Sequence, residues 1–288
     1  MPDPPRTPHW ERAFSTLGCP DADVHEVARL ARTHGCTGVE LRCAPPEGLL
    51  TPHSSPAERA SVKAHLASAG VRALWLASYV RVADDGIEDT DCRTRLDALL
   101  TLAADLGALG VRVFPGASRP GPEADERAAR RLRAAADRAA RAGTHLLLET
   151  HDSHPGAADV ARVLTAVDHP AVGAVWDVLH TWRAGESPAE SARVLAPWLR
   201  HVQLKDVAAR DDPHPRLPGT GAVPLAELPG ALAAVGYRGW LCLEWEKRWF
   251  PRAPALTEAL RYAARDEFTQ VARGPGAASP SPERTRNP

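Results

Sequence analysis

The chain has 288 residues, 44% of them hydrophobic, and a formal net charge of -1. That is enough chain and enough apolar content for one large domain or two small ones. Near-neutral charge leaves no basic footprint for nucleic acid, and no apolar run approaches the ~18 residues of a membrane span.

Five cysteines, Cys19, Cys36, Cys43, Cys92 and Cys242, are an odd number with no CxxC pair. With no secretory leader in view, they read as free thiols in a reducing cytoplasm. Residues 1–9 form a Pro-rich polar segment, expected to be a mobile arm. From Gly274 the chain reads GPGAASPSPERTRNP, which cannot build a core and is expected to be a disordered tail.

Between them, apolar strands alternate with amphipathic helices. The expected strands are Ala13–Leu17, Gly38–Arg42, Val71–Ala77, Val111–Phe114, Leu146–Leu148 with Glu149 at its end, Val172–Val178, His201–Lys205 and Trp240–Glu244. The expected helices are 23–34, 56–69, 91–109, 123–142, 157–167, 188–199, 225–235 and 254–271. Glycines 35, 70, 110, 143 and 236 follow helices as stop signals. The arginines of the 123–142 helix read as a solvated outer face. Eight βα units in one domain spanning 10–273 predict a parallel α/β sheet closed into a (β/α)8 barrel, which takes roughly 250 residues. A doubly wound open sheet is the alternative, but no GxGxxG or P-loop follows a strand.

In such a barrel, strand C-termini converge on one cavity. Glu149, Asp177, Gln203 and Glu244 close the fifth to eighth strands. Three carboxylates and an amide oxygen at one point repel unless a cation joins them. Hard oxygen donors favour Mn2+ or Mg2+, with Co2+ and Zn2+ as alternatives. Side-chain alternation puts His151, Lys205 and Glu246 on the same faces as Glu149, Gln203 and Glu244. They would form an outer ring for substrate oxygens. His180 follows Asp177 by three residues, beyond the strand, where parity does not place it. Trp176, Trp182, Trp245 and Trp249 flank two strand ends and could pack on a substrate face or in the core. The Gly219–Gly221 turn reads as a plain loop turn rather than a phosphate seat.

The segments FSTLGCPD, GVELR, LLLETH, WDVLH, HVQLKD, PGTGAVPL and GYRGWLCLEWE, in that order, resemble the xylose isomerase-like TIM-barrel superfamily, above all its sugar phosphate isomerase/epimerase branch. The likeness spans about residues 13–265. It implies one divalent ion held by Glu149, Asp177, Gln203 and Glu244, with both glutamates doubling as acid/base groups. It also implies that His180 contacts a substrate hydroxyl. Together with the ring of His151, Lys205 and Glu246 read from alternation, and Trp182 read from its place near a strand end, His180 completes the expected substrate-binding residues. Gln203 stands where ketose 3-epimerases have His; hydroxypyruvate isomerase-like members have Gln.

The expected activity is isomerisation or epimerisation of a small polyhydroxy carbonyl compound through a metal-bound enediolate. A dehydratase of the inosose dehydratase type would use the same first proton abstraction. An endonuclease IV-like DNA repair site needs three zinc ions and more histidines. The strand ends Ala77-Ser78-Tyr79 and Phe114-Pro115-Gly116 offer none. A catalytically silent binding barrel is a further rival. The expected partner is a small molecule, not nucleic acid or membrane. A homo-oligomer is admitted but not specified.

Overall fold

The computed structural model describes residues 10–44 and 48–265. The expected arm at 1–9, the tail at 274–288 and the last part of the 254–271 helix lie outside the described residues.

Eight strands form: β1 Glu11–Ser15, β2 Gly38–Cys43, β3 Arg72–Arg81, β4 Gly110–Phe114, β5 His145–Glu149, β6 Val172–Asp177, β7 Leu199–Leu204 and β8 Trp240–Leu243. Each pairs in parallel with the next, and β8 pairs with β1, so the barrel is closed. The sequence-based expectation of a (β/α)8 barrel is therefore met.

The helices between them are α1 Val24–Thr33, α2 Pro56–Ser68, α3 Asp89–Leu106, α4 Pro122–Arg141, α5 Ala157–Val167, α6 Val178–Arg183, α7 Pro188–Leu195, α8 Leu228–Ala234 and α9 Leu256–Ala263. Their starts are set by local chemistry. Asp23 caps α1 by accepting from the Glu26 N–H at 2.8 Å. Ser55 with Glu58, and Ser187 with Glu190, form capping boxes ahead of a proline in the first turn. α3 stops at Gly107, whose φ of 71° is a left-handed conformation that glycine enters freely.

Several boundaries differ from expectation, among them the end of β3, which runs on to Arg81. Residues 16–18 form a 3-10 turn rather than the end of the first strand. α7 ends at Leu195, and β7 begins at Leu199. Val178 opens α6 instead of closing a strand, because the Asp177 carboxylate accepts from the Leu179 N–H at 2.9 Å and caps a helix there.

One apolar layer lies between the barrel and the helices. A second, of Ala13, Leu74, Trp75, Leu147, Val175 and Cys242, fills the barrel's interior. Val39 pairs with Ala73 but Glu40 with Trp75, so a bulge at Leu74 fits both residues into that interior. Arg131 does not belong to a solvated face. It is buried, bonding Asp89 Oδ1 at 2.7 Å and the carbonyls of Val82, Asp84 and Ile87, which fastens the β3–α3 loop. All five cysteines are free. Among the described residues, no helix is long and apolar enough to cross a membrane.

Candidate active site

Glu149 and Asp177 end β5 and β6, Gln203 lies in β7, and Glu244 directly follows β8. All four are buried. Single carboxylate oxygens of Glu149, Asp177 and Glu244 lie within 4.8 Å of one another. Gln203 joins them by donating from Nε2 to Glu244 Oε1 at 3.3 Å.

Local bonds hold these side chains in place. Thr150 accepts from the Asp177 N–H at 3.0 Å and donates to its carbonyl at 3.2 Å, which locks the β5 end to the β6 end. Asp177 spends Oδ1 on capping α6, leaving Oδ2 for the cluster. The first turn of α6 then carries His180 back, its Nε2 3.6 Å from Asp177 Oδ2. A tight turn at 151–154, with Asp152 at φ 47°, stacks the His151 ring 4.2 Å from that of His180 and 4.3 Å from Phe114. One atom each of Glu149, His151 and His180 also lie within 4.8 Å of one another.

Lys205 reaches further in than an outer ring would require. Its Nζ sits 2.8 Å from Asp177 Oδ2 and 3.0 Å from Glu246 Oε1, and touches Glu244 Oε2. Eight of the nine expected site residues are thus brought together around one point. Trp182 is the exception. Its ring carries the Arg210 guanidinium at 4.7 Å and packs partly against the outer core. Trp176 and Trp245 are core residues whose ring nitrogens bond Thr181 at 2.9 Å and the Pro254 carbonyl at 3.0 Å. Trp249, by contrast, is 50% exposed and lies over Arg42 at 5.5 Å.

Three contributing residues escaped the sequence reading. Arg112 in β4 sets Nε 2.9 Å from Glu149 Oε2 and Nη2 3.9 Å from Glu244 Oε1, and donates to the Ser78 carbonyl at 2.8 Å. Glu40 in β2 and His201 in β7 form a buried pair at 3.2 Å. The available signal was a charge in mid-strand. GVELR and GVRVF each bury an ionised side chain on a strand covered on both sides, which only a partner across the interior makes tolerable.

Burial raises the Glu149 carboxyl well above its ordinary range; Arg112 opposes this, while Glu244 and Asp177 add to it. Burial likewise lifts Glu244 to about 7, against the pull of Lys205. For Asp177, burial is outweighed by Lys205 and His180, and the carboxyl stays below its usual range. For Glu40, burial is outweighed by His201 and Arg112, with the same result. Burial takes His180 down to about 3, so its imidazole is neutral at physiological pH. Lys205 is held charged: Asp177, Glu244 and Glu246 outweigh the cost of burying it.

This donor set fits a divalent cation. Carboxylates crowd together out of water with Lys205 and Arg112 as their cationic neighbours, and Gln203 Oε1 and His180 Nε2 are buried with no hydrogen-bond partner among the described residues. Glu149, Asp177, Gln203 and Glu244 are the residues that could hold it.

The Gly219–Gly221 turn is a loop turn, as expected. Asp206 Oδ2 accepts from the N–H groups of Gly219 and Gly221 at 2.8 and 2.9 Å. Its Oδ1 accepts from Val207 and Val223 at 2.9 and 3.2 Å. The chain's own carboxylate thus takes the Gly219 and Gly221 N–H groups that an anion would need there. A Cβ at Gly221 would lie 2.3 Å from Asp206 Oδ1 and from the Val207 carbonyl, so no larger residue fits there.

Known proteins share this framework. A 3-dehydroshikimate dehydratase of Bacillus anthracis is 32% identical over 111 residues, which is 34% of this chain and 39% of that protein. A Streptomyces coelicolor protein with a provisional assignment as hydroxypyruvate isomerase is 28% identical over 230 residues, 72% of this chain and 81% of its own. The IolI protein, solved with a bound zinc atom, superposes with a TM-score of 0.73 at 18% identity, covering 88% of this chain and 95% of that one. The model of the xylose isomerase-like TIM barrel matches residues 28–265. The chain belongs to the xylose isomerase-like TIM barrel family.

Proposed function

We propose that this chain is a divalent-metal-dependent isomerase or epimerase of a small polyhydroxy carbonyl compound, a sugar, keto-sugar or sugar phosphate. Glu149 and Glu244 are its proton-transfer groups. The observation that carries this reading is the pair of buried glutamates with raised pKa, brought to one oxygen-rich cluster from strands separated by β6 and β7. A group that both takes and returns a proton works best with a pKa near ambient pH, and burial lifts Glu244 toward that range in the metal-free chain. Mn2+ or Mg2+, with Co2+ or Zn2+ as alternatives, held by Glu149, Asp177, Gln203 and Glu244, would supply Lewis-acid stabilisation of charge on neighbouring carbonyl and hydroxyl oxygens.

The remaining work falls to side chains. One glutamate removes the proton from the carbon beside the carbonyl, and the other returns it. Return to the opposite face epimerises; return to the adjacent carbon isomerises. Neutral His180 can accept a hydrogen bond from a substrate hydroxyl through Nε2, and Lys205 can donate to a substrate oxygen. His151 and Glu246 border the same space.

A second reading is favoured by the likeness to the dehydratase of Bacillus anthracis. Here the same proton abstraction is followed by loss of a β-hydroxyl. Incubation of α-hydroxycarbonyl candidates in D2O separates the two. Deuterium in recovered substrate or isomer without water loss supports isomerisation; an unsaturated product supports the lyase. Full activity after verified metal removal would sink the metal-dependent reading altogether.

A further inference from the structure

We infer that Glu40 is a positioning residue for the metal centre: by taking a side-chain N–H of Gln203, it fixes which end of that amide is left to face a cation. The inference rests on the metal-dependent reading above and concerns only how this chain makes a glutamine serve in it.

A glutamine amide has two ends of nearly equal size and opposite character. Its oxygen can ligate a cation; its NH2 repels one. Something must therefore hold the amide in one of two orientations. Imidazole at the same position presents a ring nitrogen either way round, so it has less need of such help.

Glu40 is fully buried in β2, across the barrel interior from β7. Its Oε2 accepts from Gln203 Nε2 at 3.0 Å and lies 3.2 Å from His201 Nε2. The second N–H of Gln203 goes to Glu244 Oε1 at 3.3 Å. Both amide hydrogens are thus spent on carboxylates. Gln203 Oε1 remains buried without a hydrogen-bond partner among the described residues. Turning the amide over would set that oxygen against Glu40 and Glu244, acceptor against acceptor. Two bonds to charged groups would be lost, and such bonds are about twice as strong as neutral ones. Arg112, which reaches Glu149 and Glu244 from the same interior, adds positive charge beside Glu40.

The test is a two-residue cycle read as Mn2+ affinity, by electron paramagnetic resonance titration of the full chain without substrate. Wild type, Glu40→Gln, Gln203→Ala and the double variant are compared. Glu40→Gln should weaken Mn2+ binding roughly 10- to 100-fold, the usual cost of removing an outer-shell partner. In the Gln203→Ala background the same change should cost less than about threefold, because Glu40 acts through the amide. If Glu40→Gln does not fold, Glu40→Asp keeps the charge but withdraws the carboxylate, and the same pattern is expected. Wild-type affinity in the Glu40 variant, or losses that multiply in the double variant, would overturn the inference alone. A wild-type chain that takes up no divalent ion would overturn the metal reading and this inference with it.

Discussion

The two halves of the barrel carry their polar groups at different depths. In β5 to β8 most stand at strand ends: Glu149 and Asp177 are last in their strands, while Glu244 and Lys205 directly follow theirs, and His201, mid-strand in β7, is an exception that pairs with Glu40. In β2 and β4 they stand in mid-strand, as Glu40 and Arg112. Groups at strand ends face the cavity, where a ligand can reach them. Groups in mid-strand are sealed inside and act on the first set as fixed counter-charges and hydrogen-bond partners. On the proposed function, β5 to β8 supply the reacting groups, and β2 and β4 supply counter-charges that hold them in their charge state.

The largest effects should come from the reactive half. Glu149→Gln and Glu244→Gln keep shape but cannot carry a proton. Each should slow entry of solvent deuterium into an α-hydroxycarbonyl substrate by about 100- to 10,000-fold, with the thermal unfolding midpoint retained. Loss of fold instead of loss of exchange would erase the distinction between the halves.

Arg112→Met should do the reverse and strike stability first. It removes one member of a buried ion pair and leaves Glu149 without its guanidinium. Because the Glu149 carboxyl is already raised and can take up a proton, the expected cost is about 1–3 kcal/mol in denaturant unfolding. Combining it with Glu149→Gln should recover part of that loss, because the stranded charge is gone. A double variant as unstable as the sum of the singles would argue that Arg112 serves packing rather than charge.

The same contrast explains what the sequence could say. The barrel was legible because strand and helix periods alternate eight times with glycine stops between. The carboxylates of β5, β6 and β8 were legible because each follows an unbroken apolar run, and a polarity step at a strand end has few other causes. Glu40 and Arg112 were hidden by the converse. A single charge inside GVELR or GVRVF tells its reader that a partner exists, but the partner comes from a strand more than 30 residues away. Lys205 was read as an outer residue because alternation gives a face and not a depth, and a four-carbon stem can carry the ammonium inward. Trp182 was placed by its nearness to a strand end alone, and α6, opening at Val178, sets its ring against Arg210.

A smaller effect concerns pH in the metal-free protein. Glu244 titrates near 7 when folded, against an ordinary 4.5. Below about pH 4.5 it is protonated in both states. Between there and 7 the unfolded chain ionises while the folded one does not, so the folded state binds more protons and stability falls as pH rises. Above 7 this contribution is lost and stays constant. Glu149, raised by its own burial, acts with the same sign. Asp177 and Glu40, held below their usual range, act with the opposite sign and only at lower pH. Chemical denaturation in EDTA should show the decline, and Glu244→Gln should make it shallower by up to about 1.4 kcal/mol per pH unit. An unchanged slope would mean that Glu244 is already ionised in the folded chain.

The smallest effect lies above β7, where the reactive half has a structural element of its own. Asp206 gathers four backbone N–H groups from residues 207 to 223 and so shapes the loop that borders Lys205 and Glu246. Asp206→Asn can keep one oxygen toward Val207 and Val223. Its NH2 then meets the N–H groups of Gly219 and Gly221, donor against donor. Gly219 and Gly221 are exposed, so water can meet part of the loss and the cost should fall below the about 1–3 kcal/mol of a fully buried donor, appearing as local opening of the loop. Hydrogen exchange should accelerate over residues 207–223, while amides in β2 and β4 keep their protection. If exchange in β2 and β4 accelerated as well, the loop and the counter-charge half would form one cooperative unit. The division of the barrel into two halves would then hold for charge but not for stability.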